Sequence, residues 1–156
     1  MGANLLTPGI AALIPLVNTL YEEAFHENFI FPEDSNETVT FTAGGTVNTF
    51  GAWAEIVDNN SVSLSSKMVA GGHISSIISE SANTKDKVYM LEISYGAAKT
   101  VIARARMISA TNRIGHTEQD RMRNLAIPAG ETAYYRVKCE TASATATVHF
   151  RYHIHG

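Results

Sequence analysis

The residues best suited to chemistry stand in "TATVHFRYHIHG", residues 145–156. His153 and His155 are two positions apart, and His149 lies four before His153. On a strand, positions i and i+2 project from one face about 7 Å apart at the backbone, a spacing from which two imidazoles can chelate a metal ion. Zinc asks for three protein ligands or more around a tetrahedral centre. His73 and His116 would complete such a set only through a tertiary meeting that linear spacing does not predict. The expectation is no metal and no cofactor, with these histidines on a strand face turned to solvent or to an interface.

The alternation around them supplies a simpler reason for their placement. Ala144, Ala146, Val148, Phe150, Tyr152 and Ile154 fall on one face, and Thr145, Thr147, His149, Arg151, His153 and His155 on the other. Burying each larger apolar group contributes roughly 1.5–3 kcal/mol, enough to dictate which face turns inward. A His-x-His pair on a strand resembles the metal motif of the cupins. That motif continues with a glutamate a few residues on and a histidine in a later strand, whereas only Gly156 follows His155 here.

Other chemical signatures are missing from the sequence: no G-x-S-x-G elbow, P-loop, H-E-x-x-H, C-x-x-C or EF-hand loop. Ser75-Ser76 beside His73 lacks a visible acid, and Glu22, Glu23 and Glu27 at helical spacing read as a solvated face. Two pairs of cations do share strand faces: Arg104 with Arg106, and Arg136 with Lys138. If their strands were neighbours they would form a basic contact face for a polar ligand, a glycan or an acidic partner. Trp53, Tyr134 and Tyr135 could add a stacking platform, although Trp53 reads as core.

These residues must be carried by strands. From Glu37 onward the hydrophobic period is two, in "ETVTFTA", "FGAWAEIVD", "SVSLSSKMV", "HISSIISE", "KVYMLEIS", "TVIARARMIS", "NLAIP", "TAYYRVKCE" and "ATVHFRYHIH". Gly44-Gly45, Gly71-Gly72, Tyr95-Gly96 and Pro128-Ala129-Gly130 are among the turn signals between them. The pattern predicts a mainly β protein, an antiparallel β-sandwich of jelly-roll type. "SATNRIGHTEQDRMR" reads as a surface loop. Before the sandwich, the apolar residues Ile14, Val17, Leu20, Tyr21 and Phe25 recur at helical steps. They predict a short helix of about residues 15–25 behind an irregular arm, with Pro15 either starting or kinking it. The expected division is an arm and helix over 1–35 and a sandwich domain over 36–156.

A chain of 156 residues with one cysteine, Cys139, suits a single domain that needs no disulfide. The apolar stretch "LLTPGIAALIPLV" lacks a preceding Lys or Arg and is broken by prolines, so neither a secretory signal nor a membrane span is expected. The net charge of −3 gives no reason to expect nucleic acid as a partner. Charge is nonetheless polarised, because residues 1–66 hold eight acidic groups and no Lys or Arg, while the remainder carries a net +5. Such polarity suits an acidic front meeting a basic face on a neighbour.

An apolar arm leading into a compact sandwich, with "IPAGETAYYRVKCE" as turn and penultimate strand, resembles small tailed-phage virion proteins, specifically the capsid decoration (cement) proteins. The resemblance implies a non-enzymatic protein of the virion surface, made in the host cytoplasm, whose partners are the major capsid protein and further copies of itself, a trimer rather than a dimer. It assigns Ile14, Val17, Leu20, Tyr21 and Phe25 to a capsid or subunit interface. A carbohydrate- or receptor-binding module of a phage tail or fibre is the alternative.

Overall fold

The computed structural model describes residues 28–109, 119–121 and 125–155, together with Leu13 and Val17. Among the described residues, nine strands form two antiparallel sheets. The first sheet contains β1 (Phe29–Phe31), β2 (Val39–Thr42), β4 (Gly72–Ala82), β7 (Gln119–Arg121) and β9 (Thr145–Ile154). The second contains β3 (Ala54–Glu55), β5 (Lys87–Tyr95), β6 (Thr100–Ser109) and β8 (Ala133–Cys139). Their orders are β1-β9-β4-β7, with β2 also on β9, and β3-β8-β5-β6.

The strands follow the expected alternation closely in β9. Ala146, Val148, Phe150 and Tyr152 are buried, and Thr147, Arg151 and His153 are turned the other way and half-buried. Both edges of β9 are paired. β1 and β2 lie in succession along one edge (Phe29 opposite Tyr152, Val39 opposite Val148), and β4 runs along the other. The two sheets meet through aromatic packing. Phe41 of β2 lies 4.2 Å from Tyr135 of β8 and 5.8 Å from Phe150 of β9, ring centre to ring centre, and the Tyr135 hydroxyl donates to the Thr40 carbonyl at 3.2 Å. Cys139 is buried in this core, as a small hydrophobe should be.

Several expectations are corrected. "SVSLSSKMV" is not a strand but contains a helical turn, Leu64–Lys67, because Ser63 caps it through a 3.1 Å bond from the Ser65 amide. Leu64 and Met68, four apart, are the buried pair, so the helical period governs there. The described residues of "NLAIP" contribute a bridge from Ile127 to Gly72, and "FGAWAEIVD" forms a strand over only Ala54 and Glu55, with a further bridge from Val57 to Ser63. Conversely, β1 falls on the arm side of the boundary expected at residue 35, yet Phe31 is in the core. β7 arises within the expected surface loop. At the N-terminus, Leu13 and Val17 have helical backbone. Both are more than half exposed, at 54% and 57%. Ile14, Leu20, Tyr21 and Phe25 lie outside the described residues.

The β4–β9 seam is closely packed at its first residue. A Cβ on Gly72 would stand 2.1 Å from the His153 carbonyl oxygen, a backbone atom that cannot swing aside. Gly71 precedes it with φ +84°, a left-handed conformation that L side chains rarely adopt. Gly72→Ala is therefore expected to lower stability by about 2–3 kcal/mol in urea unfolding, well beyond a surface glycine-to-alanine change.

Candidate functional site

Two surface constellations emerge, one on the outer face of each sheet. The first answers the question posed by the terminal histidines. β4 pairs with β9 so that His73 lies directly opposite His153, with Gly72 opposite Ile154. The His155 amide donates to the Gly71 carbonyl at 3.1 Å, which holds the end of β9 to the start of β4. Three imidazoles consequently gather on one outer patch. Ring centres are 5.0 Å apart for His73–His153, 4.6 Å for His73–His155 and 6.2 Å for His153–His155. One nitrogen from each can be chosen so that all three lie within 4.8 Å of one another.

This overturns the argument that His153 and His155 lack a third ligand. His73 offers a third nitrogen beside them, brought in by strand pairing rather than by sequence neighbourhood. The "HISSIISE" run placed His73 at the head of a strand, but only the choice of β9 as partner brings it to the pair. His116 lies outside the described residues. His149 takes no part in the triad: it is buried farther down β9, with Nδ1 3.0 Å from Glu80 Oε1 but outside hydrogen-bond alignment. The Ser75 hydroxyl lies 3.5 Å from Asn28 Oδ1, and Ser76 is buried across a register shift from Ile74.

The second constellation covers the outer face of the β3-β8-β5-β6 sheet. The expected basic residues are all there, but their strands are not neighbours. β5 runs between β6 and β8 and inserts one residue into each row: Arg104–Glu92–Arg136 and Arg106–Met90–Lys138. Arg104 Nε binds Glu92 Oε1 at 2.7 Å, and Arg136 binds Oε2 through Nε at 2.7 Å and its terminal nitrogen at 2.6 Å. Glu92 is only 5% exposed. Burial alone would raise its carboxyl pKa, but the bonds and charges of Arg104 and Arg136 outweigh that effect and hold it below the ordinary glutamate value.

Aromatic rings complete this face. The Arg136 guanidinium lies over Trp53 at 4.5 Å and over Phe50 at 4.6 Å, and the Lys138 ammonium lies 5.0 Å from the Phe50 ring centre. Trp53 is thus half-buried under a cation rather than in the core. Of the two tyrosines considered with it, Tyr135 is buried and Tyr134 lies beneath Lys99 at 3.0 Å. A depression of about 260 Å³ lies beside the second row, lined by Asn48, Val88, Met90, Arg106, Lys138 and Glu140. Phe50 was not singled out in the sequence, because it opens the "FGAWAEIVD" run four residues ahead of the strand that forms there, so alternation does not tell which face it joins.

The two arginines make Glu92 the anchor of the face. Glu92→Gln is expected to reduce stability by about 1–2 kcal/mol at neutral pH, a value kept small because Arg104 is largely exposed. A carboxyl with a lowered folded-state pKa contributes fully above its unfolded value and loses that contribution as pH falls through the folded one. The stability gap between wild type and Glu92→Gln should therefore be constant near neutrality and close in acid. Urea midpoints measured across pH 3–7 check this. A search for family models found no match to the chain, and no curated protein matches it.

Proposed function

We propose that this chain is a structural virion protein that docks on the outer surface of a phage capsid and stabilises it. The observation that carries the reading is the outer face of the β3-β8-β5-β6 sheet. There, four cations stand in two adjacent rows, two of them braced by a buried carboxylate and two flanking Met90. Arg104 and Arg136 are held in place by Glu92 before a partner arrives, which lowers the ordering cost of docking a complementary acidic surface. The acidic residues of the first 66 positions offer that complement on another copy, consistent with assembly as a homo-oligomer, a trimer in this reading. The strand orders, with β1 and β2 counted as one interrupted strand, support a jelly-roll topology of two four-stranded sheets. The major capsid protein is the partner proposed for the remaining contacts.

One observation favours a second reading, a carbohydrate- or receptor-binding module of a tail or fibre. Trp53 and Phe50 lie half-buried on the same face as the cations, where rings can stack on a sugar.

Mixing the protein with capsids assembled without it distinguishes the two. Saturable uptake at a fixed ratio to the major capsid protein, with a raised genome-release temperature, is the expected outcome. Reversing Arg106 and Lys138 together to Glu should weaken uptake at least about tenfold near 0.15 M salt, where exposed charges still act over about 8 Å, and less at 1 M. Failure to bind capsids, with glycan binding that Trp53→Ala abolishes, would replace the first reading with the second.

A further inference from the structure

We propose that His73, His153 and His155 form a binding site for a divalent transition-metal ion of the zinc class, with three imidazole ligands and a fourth position taken by water. Neither docking reading requires such a site, and it stands or falls separately from both.

Geometry carries the inference. His153 is the penultimate residue of β9, His155 lies one residue past the strand's end, where its amide is bonded to Gly71, and His73 comes from the directly paired position of β4, so the backbone gathers all three on one face. Zinc–imidazole bonds of about 2.0–2.1 Å in a tetrahedron place ligand nitrogens roughly 3.3–3.4 Å apart. The nitrogens here already lie within 4.8 Å of one another, so about 1–1.5 Å of closure completes the set. Side-chain torsions can supply that movement, because all three rings are only half-buried at the sheet surface.

The scaffold beneath is closely packed at Gly72. Gly72 leaves no space for a side chain against the His153 carbonyl, and the Gly71–His155 hydrogen bond holds the third histidine against the β4 entry. The distances between the three Cα atoms are thereby set by backbone contacts, which is the preorganisation a chelating site needs.

Ligand chemistry selects the ion. Three neutral nitrogen donors without a carboxylate suit zinc, cobalt, nickel or copper, whereas calcium and magnesium prefer oxygen ligands. Arg151, one outward step before His153, presents a like charge to any dication. Affinity must therefore come from coordination rather than from Coulomb attraction, which disfavours calcium and magnesium further.

The test uses the untagged full chain. Titration calorimetry with zinc chloride at pH 7.5, with elemental analysis after dialysis, should give one zinc per chain. Magnesium and calcium should give no heat above dilution. His73→Ala and His155→Ala should each weaken zinc binding at least about tenfold, while His149→Ala, outside the triad, should leave it unchanged. Saturating zinc should raise the melting temperature of the wild type by several degrees and that of His73→Ala by less. Circular dichroism of each variant separates loss of the site from loss of the fold. With the Cα scaffold intact, absence of stoichiometric zinc, or zinc binding indifferent to His73→Ala, overturns the proposal.

Discussion

The pairing of β9 with β4 is the constraint on which the rest of the molecule depends. β9 is held along both edges, by β1 and β2 on one side and β4 on the other, and its inward residues reach the centre of the core. A one-residue slip would turn Val148, Phe150 and Tyr152 outward and bring Thr147, His149 and Arg151 into their places. Burial of the aromatic and aliphatic groups, roughly 1.5–3 kcal/mol each, prohibits that. The same register that fills the core decides what the surface presents, and it sets His73 against His153.

The two outer faces express different chemistry through one device. On the first sheet, direct pairing gathers like residues, and three histidines meet. On the second, a central strand separates like residues: β5 places Glu92 between two arginines and Met90 between Arg106 and Lys138. Without the carboxylate, Arg104 and Arg136 would flank the centre of the face with nothing to offset their charge. With it, both guanidiniums are oriented, and Arg136 is also held over Trp53 and Phe50.

The long strands were legible in the sequence because their period is unambiguous: β4, β5, β6, β8 and β9 lie within a residue or two of the expected runs. Short elements were not. β1 and β7 span three residues each, too few for a period to register, and a serine cap turned an apparent alternation into the helical turn at Leu64. Trp53 was misplaced because a large aromatic in an apolar run reads as core, whereas a guanidinium can cover it at the surface. The sequence revealed which face of a strand each site residue occupies, but not which strand lies beside it. Both surface constellations depend on that neighbour relation. His73 joins the histidine pair only because β4 borders β9, and the basic rows are interrupted only because β5 lies between β6 and β8.

The central claim, that the β4–β9 register builds a three-imidazole surface able to hold a metal ion, is tested most directly by anomalous diffraction at the zinc absorption edge from crystals of the untagged chain grown with zinc. The account predicts one strong peak per chain, within about 2.1 Å of a nitrogen of each of His73, His153 and His155. A peak elsewhere with these three rings apart, or a β4–β9 register in which His73 does not face His153, would contradict it.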